Sequence, residues 1–207
     1  MSQRARLLAL VAVAVLPLVA LSALDIVQGL RESERRVAEE RVQLARLLAF
    51  SVEALIDGNL SAIRAMTLSP VIAAGRPSPQ LDAILKRVAA QNPQWAGFAV
   101  VGTDGTSLGG SLGGGAVYIG DRAYFREAMS SGRPVVGNAV IGRLSGKVSV
   151  VLAVPYTGER GQRLLALAPL PTDRFRAGLL DKMGHPAARI TVLDRVGNVM
   201  RAAGCPI

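Results

Sequence analysis

The fold is decided by residues 118–156, YIGDRAYFREAMSSGRPVVGNAVIGRLSGKVSVVLAVPY. Within this stretch residues 121–129 predict a helix, and Asp121 is of a residue type that favours the N-cap position. Two runs rich in β-branched residues follow at 134–141 and 147–155, separated by a turn that contains glycine. Because short turns join neighbouring antiparallel strands, the stretch predicts one helix followed by two antiparallel strands.

Three more strands are predicted around this stretch. Residues 95–101 form an apolar run that ends at the hairpin-type turn Thr103-Asp104-Gly105, and Thr106 begins the partner strand. Another strand is predicted at 162–170. The glycine-rich segment 109–115 lacks the ending of a phosphate-binding loop and predicts an ordinary flexible loop. Together these elements indicate an α+β fold, with a five-stranded antiparallel sheet and helices on one face.

A long helix is predicted before the sheet. Residues 25–68 contain no proline and carry apolar residues at spacings of three, four and seven. The seven-residue spacing of Leu30, Val37 and Leu44 favours pairing with a second copy, whereas the C-terminal half favours packing on its own domain. We therefore expect a stalk helix and a homodimer formed through it. A shorter helix follows, with an apolar face made of Leu81, Ile84, Leu85 and Val88.

An uncharged segment near the N-terminus predicts a membrane anchor. Residues 7–24, LLALVAVAVLPLVALSAL, follow Arg4 and Arg6 and are close to the shortest length that spans a bilayer as a helix. Because basic residues favour the cytoplasmic side, residues 1–24 are expected to form a cytoplasmic tip and a single-pass inner-membrane helix. The body is then extracytoplasmic, in the periplasm. The alternative is a signal peptide cleaved near 20–23, which also exports the body.

The composition argues against several classes of function. The chain of 207 residues has a net charge of +9, but its basic residues are spread along the sequence with few aromatic residues among them, so nucleic acid is not expected as a partner. His185 and Cys205 are the only residues of their types. They are too few for a zinc site, a redox pair or the usual nucleophile–His arrangements. We expect no enzyme activity, no cofactor and no metal in this chain.

Four short motifs lie in order within residues 118–156. They are Asp-Arg-x-Tyr-Phe at 121–125, Gly-Arg-Pro-Val-Val at 132–136, the glycine pair Gly142 and Gly146, and Ala-Val-Pro at 153–155. In this order, behind an apolar segment and a long helix, they resemble the core of the Cache extracytoplasmic sensor domains of bacterial histidine kinases, diguanylate cyclases and chemoreceptors. The resemblance covers residues 25–204. It implies a PAS-like five-stranded sheet, a ligand pocket between the sheet and residues 109–130, and a kinase, cyclase or chemoreceptor as the parent protein.

A second feature resembles the two-lobed Cache domains. The layout of residues 98–108, an apolar strand, a polar turn with glycine and an apolar restart, recurs at 190–200. The resemblance then assigns residues 25–68 to the stalk and 69–188 to a membrane-distal sensor lobe. Residues 189–207 would begin a second lobe of a truncated sensor, or add an edge hairpin to a single domain.

The candidate ligand site centres on Arg122. A guanidinium group binds a carboxylate through two parallel hydrogen bonds, and aromatic neighbours can add an apolar wall and hydroxyl donors. The resemblance implies that Arg122, Tyr124 and Phe125, and less directly Tyr118, match the residues that hold a ligand's carboxylate in amino-acid-sensing Cache domains. Arg143 adds positive charge in a region, 128–158, that contains no acidic residue. The acids that hold a ligand's ammonium group have no counterpart here, which favours a small organic acid over an amino acid.

Two functions stay open on the sequence alone. The first is a membrane-anchored extracytoplasmic sensory input module of a bacterial signal-transduction protein, in which ligand binding shifts the stalk helices of a dimer. The second is a ligandless structural or dimerisation module of a membrane protein, in which Arg122 pairs with Asp121 or Glu127 and the adjacent aromatic rings belong to the core. An open pocket lined by Arg122 favours the first.

Overall fold

Five antiparallel strands form the sheet in the structure, a computed structural model that describes residues 42–43, 45–113 and 115–174. The strands in chain order are β1 (Ala99–Val101), β2 (Ser107–Gly110), β3 (Val135–Ile141), β4 (Val148–Thr157) and β5 (Arg163–Pro171). Their order across the sheet is β2-β1-β5-β4-β3, and each neighbouring pair is antiparallel. The predicted five-stranded antiparallel sheet is therefore confirmed.

The chain divides into two compact units, Met1–Ser51 and Val52–Ile207. In the first unit, residues 42–43 and 45–51 are helical. The predicted membrane anchor, the seven-residue dimer seam and the second-lobe segment lie outside the described residues. Among the residues that the structure describes, no helix has both the length and the apolar character that crossing a membrane requires.

In the described part of the second unit, three helices cover one face of the sheet. They are α1 (52–67), α2 (Pro70–Ala74) and α3 (Pro79–Gln91). Helix α3 begins at the N-cap Ser78, whose hydroxyl oxygen accepts a hydrogen bond from the Leu81 backbone N–H at 3.1 Å. Apolar side chains of all three helices share a core with alternate residues of β4 and β5, including Ile63, Ile72, Leu81, Leu85, Leu152, Val154 and Ala166.

A buried hydrogen bond attaches α1 to the segment before β1. The indole N–H of Trp95 donates to Oδ1 of Asn59 at 2.6 Å, and the amide of Gln94 donates to the same oxygen at 3.2 Å. Asn59 Nδ2 donates in turn to the carbonyl of Leu55 at 2.7 Å. Since a buried indole N–H is costly to leave without a partner, this contact fixes how α1 docks on the sheet domain.

Helix α4 (Ala123–Ser131) lies on the opposite face of the sheet, so the prediction of helices on one face is wrong. It buries Tyr124, Phe125 and Ala128 in a second core. The strand residues of that core are Val101, Val135, Val151, Ala153, Leu165 and Leu167. Strands β4 and β5 are apolar in nearly continuous runs rather than at alternate positions, so both of their faces must be covered.

The start of α4 also differs from the prediction that Asp121 is its N-cap. Arg122 holds the N-cap position with an extended backbone and makes no side-chain cap hydrogen bond. The carboxylate of Asp121 instead accepts a hydrogen bond from Arg143, 22 residues further along the chain. A local residue preference predicts a cap, but it carries no information about a partner that only the folded sheet brings near.

Candidate functional site

A cleft lies on the α4 face of the sheet. Its volume is about 750 Å³, including space open to solvent. Its floor is made of apolar side chains from four strands, Val101 of β1, Val140 of β3, Val151 of β4 and Leu167 of β5. Two connecting segments complete it, the loop after β2 and the turn between β3 and β4.

The loop after β2 forms one wall of the cleft. The hydroxyl oxygen of Ser111 accepts a hydrogen bond from the Phe98 backbone N–H at 2.8 Å, which attaches this loop to the strand side of the cleft. Gly97 leaves room for this loop, because a Cβ at position 97 would lie 2.9 Å from both Leu112 Cγ and Ser111 Oγ and would displace those side chains. With Ser111 engaged by the backbone, the start of this loop lines the cleft with the apolar side chain of Leu112.

Tyr124 lines the cleft from the first turn of α4. Gly137 on β3 makes room for this residue, since a Cβ at position 137 would lie 3.1 Å from Tyr124 Cβ. Tyr124 is only 8% exposed, yet no hydrogen bond to its hydroxyl is formed by the part of the chain that the structure describes. Burial raises the pKa of Tyr124 above its ordinary value, so the phenol stays protonated at neutral pH and can donate to a ligand.

Two arginines lie on the β3 side of the cleft. Arg143 donates to the carboxylate of Asp121 at 2.6 Å and to the carbonyl of Tyr118. The hydrogen bond from Arg143 holds the pKa of Asp121 below its ordinary value, so this carboxylate stays ionised at neutral pH. Arg122 donates from Nη2 to the carbonyl of Ile141 at 3.3 Å. These contacts connect the start of α4 to the β3–β4 turn and place both guanidinium groups at one side of the cleft.

The cleft brings together three of the five predicted site residues. Arg122, Tyr124 and Arg143 line it, whereas Phe125 lies in the second core and the side chain of Tyr118 is exposed next to the cleft. Several further side chains line the cleft without having been predicted to, namely Ser107, Ser111, Leu112, Ile141, Leu144 and Ser145. Their only sequence signal is that most lie in glycine-rich connections, which mark a loop but not which loop side chains meet.

The charged side chains of the described lining are both arginines, one of which is paired with Asp121 beside the cleft. Within the described ranges, the side chains that line it include Arg122 and Arg143 but no Asp or Glu. In those same ranges, no group of three or more His, Cys, Asp or Glu side chains is placed to hold a metal ion. A mostly apolar cleft with two guanidinium groups and a phenol donor is suited to bind an organic anion.

Solved structures share this fold. An extracellular ligand-binding receptor from Desulfohalobium retbaense superposes with a TM-score of 0.61 at 18% identity, over 76% of this chain and 30% of that one. The ligand-binding domain of the Campylobacter jejuni chemoreceptor Tlp3, in complex with 4-methylisoleucine, gives 0.58 at 14% identity, over 77% of this chain and 66% of that one. The ligand-binding domain of the Pseudomonas aeruginosa amino acid chemoreceptor PctC, in complex with GABA, gives 0.55 at 16% identity, over 76% and 72%.

The resemblance to Cache sensor domains is thereby confirmed as a fold. The chain spans 30% of the length of the Desulfohalobium receptor and 66% of the Tlp3 domain. No family model and no curated protein matches the sequence. The fold is that of extracellular ligand-binding sensor domains.

Proposed function

We propose that this chain is the extracytoplasmic sensory input module of a membrane-bound signal-transduction protein, and that its cleft binds a small organic carboxylate. The observation that carries the proposal is the composition of the cleft, with two arginines, one unpartnered phenol and no lining acid among the described residues. The fold supports an extracytoplasmic body, because the neighbouring structures are extracellular ligand-binding domains.

The charges favour a carboxylate without an ammonium group. An ammonium in this cleft would lie near two guanidinium groups and find no lining carboxylate within the described residues. The nearby acid, Asp121, already accepts from Arg143. A carboxylate can still accept from Arg122, from the N–H groups of Arg143 that Asp121 and Tyr118 do not use, and from the Tyr124 hydroxyl, so we place an organic acid here rather than an amino acid.

Removing either arginine tests the proposal. A panel of short monocarboxylates and dicarboxylates should include acids that raise the melting temperature of the chain, because a ligand that binds only the folded state stabilises it by about 2.7 kcal/mol at a hundredfold excess over Kd. Arg122→Ala and Arg143→Ala should each weaken binding about tenfold to a hundredfold, the loss of one or two charge-assisted hydrogen bonds. Arg122→Lys should also weaken it, since it removes the planar fork.

A matched control comes from the same helix. Arg126 lies on α4, is exposed and does not line the cleft, so Arg126→Ala should leave binding unchanged. Without ligand, Arg122→Ala should lower the melting temperature little, because Arg122 is only partly buried and bonded to a carbonyl at the cleft edge. A strong loss of stability in the unliganded variant, or an intact ligand-induced shift, would show that Arg122 is structural and that the cleft is not an anion site.

We also propose a membrane-anchored dimer, for which the sequence of residues 7–44 provides the reason. Exposed Leu47 and Phe50 on the helix of the first unit add apolar surface of the kind that helices bury by pairing. In membranes, a cysteine placed at Val37 in a Cys205→Ser background should cross-link between copies. Recovery of the chain as a soluble protein, or absence of cross-links at positions 30, 37 and 44 alike, would contradict the anchored dimer.

The alternative function is a ligandless dimerisation module. The same exposed side chains, Leu47 and Phe50, are what favour it. The two functions differ in the cleft. If no acid of the panel changes the melting temperature while cross-linking through residue 37 is efficient, the dimerisation module is the better description of the chain.

A further inference from the structure

The mouth of the cleft carries an unusual amount of exposed apolar surface. Leu112, Ile141 and Leu144 all line the cleft and are between 45% and 64% exposed, and Tyr118, next to the cleft, is 54% exposed. Singly exposed apolar side chains are common on proteins, but a group of them around a concave site marks a binding surface. The rim of the cleft is therefore suited to contact an apolar part of whatever binds there.

The two cations that line the cleft lie close together, whereas its exposed apolar side chains lie both beside them and on the far side of the cleft. Arg122 donates to the carbonyl of Ile141 at the end of β3, and Arg143, two residues further on, reaches Asp121 and the carbonyl of Tyr118. Leu112 lies on the β1 side, in contact range of Gly97. The cations are therefore confined to one cluster, and the lining between that cluster and Leu112 is mostly apolar.

The β1 side offers little to a second charged group. The hydroxyl oxygens of Ser107 and Ser111 already accept hydrogen bonds from the backbone N–H groups of Val117 and Phe98. No lysine or arginine lines the cleft on this side among the described residues. A second carboxylate there would lose its hydration without gaining a cation, which is costly.

We propose that the ligand class of this cleft is the monocarboxylates with an apolar tail, a narrower class than the small organic acids of the proposed function on which this inference rests. The carboxylate binds at Arg122 and Arg143, and the tail extends across the floor toward Leu112, covering the exposed rim. Because the described lining has one cluster of cations and no acid, dicarboxylates and amino acids fall outside the preferred class.

The test is the dependence of affinity on chain length, measured by calorimetric titration of the full chain with straight-chain monocarboxylates from propanoate to heptanoate. Each added methylene that reaches apolar surface should tighten binding about threefold to fourfold until the cleft is filled. Dicarboxylates and 2-amino acids of equal length should bind at least tenfold more weakly. Hexan-1-ol, which has the tail but no carboxylate, should also bind more weakly than hexanoate.

Two leucine variants distinguish a specific contact between Leu112 and the ligand's tail from nonspecific apolar binding. Leu112→Ser should weaken hexanoate severalfold and leave propanoate unchanged, because only the longer tail reaches position 112. Leu68→Ser is the matched control, since Leu68 is exposed and does not line the cleft. It should change neither affinity.

The outcomes distinguish this inference from the proposed function. Affinity that does not change with chain length, tighter binding of dicarboxylates, or a Leu112→Ser variant that matches the wild type would overturn the tail subsite, while arginine-dependent binding of any acid keeps the proposed function. Hexan-1-ol binding as tightly as hexanoate, or acid binding that neither Arg122→Ala nor Arg143→Ala weakens, would overturn the proposed function as well.

Discussion

Gly105→Ala is expected to destabilise the sheet domain by about 2–5 kcal/mol. Gly105 has a φ of +85°, a region that costs a residue with a Cβ about 1–2 kcal/mol. A Cβ there would also lie 2.5 Å from Gly120 Cα and 2.6 Å from Gly120 N. Backbone atoms cannot rotate away as a side chain can, so the contact adds an overpacking cost of about 1–3 kcal/mol.

The matched control for this substitution is Gly161→Ala. Gly161 has a φ of +77°, but an added Cβ would meet nothing within 4 Å. Its substitution should therefore show the conformational cost alone, about 1–2 kcal/mol. Urea unfolding of both variants gives the difference, with equal m-values as the sign that the unfolded states are comparable. Equal losses in the two variants would mean that the contact with Gly120 relaxes without cost.

Gly105→Ala should also affect the cleft. The carbonyl of Gly105 accepts a hydrogen bond from the N–H of Ile119 at 2.8 Å, and Ile119 lines the cleft. Displacing the Gly120 backbone moves this segment together with Arg122, two residues further on. Ligand affinity should fall in Gly105→Ala and stay unchanged in Gly161→Ala, which lies in the β4–β5 turn away from the cleft residues.

Phe98→Ala is expected to cost about 3–5 kcal/mol, the range for removing a large aromatic side chain from a packed core. Phe98 is 1% exposed, and its ring stacks on that of Trp95 with centroids 5.5 Å apart. Since domains of this size are stable by only about 5–15 kcal/mol, the variant should unfold at a much lower temperature or urea concentration.

The control for this variant is truncation at an exposed position of the same unit, Leu68→Ala. Leu68 is 81% exposed, so its truncation should change stability by less than about 0.5 kcal/mol. Trp95 is the only tryptophan of the chain, so its fluorescence reports the core around Phe98 directly, and circular dichroism gives the global transition. A loss below about 1 kcal/mol in Phe98→Ala would contradict the packing of Phe98 against Trp95.

Local patterns predicted the strands well. The turn at Thr103-Asp104-Gly105 forms as expected, with Asp104 Oδ1 accepting from the Thr106 N–H at 2.9 Å, because both the glycine and the aspartate act within four residues. Strands β3, β4 and β5 lie within two residues of their predicted bounds. Their runs of β-branched and apolar residues are long enough to predict a strand without knowledge of its tertiary contacts.

Contacts between distant segments could not be predicted in the same way. Arg143 and Asp121 are 22 residues apart, and Trp95 and Asn59 are 36 apart. Each contact depends on where the sheet and helices place two segments, and neither has a fixed sequence spacing. For the cleft, the residue types that bind an anion could be recognised, which is why Arg122, Tyr124 and Arg143 were predicted. The apolar residues that shape the cleft, such as Leu112, have no sequence signal that distinguishes them from leucines elsewhere in the chain.

Because both faces of the sheet are covered, each central strand contacts two different layers. Val151 and Leu152 are neighbours on β4, joined by a single peptide bond, yet Val151 lines the cleft and Leu152 belongs to the core of α1, α2 and α3. In the proposed sensor, a ligand that rotated β4 by a few degrees would move both layers at once, without a chain of side-chain contacts between them.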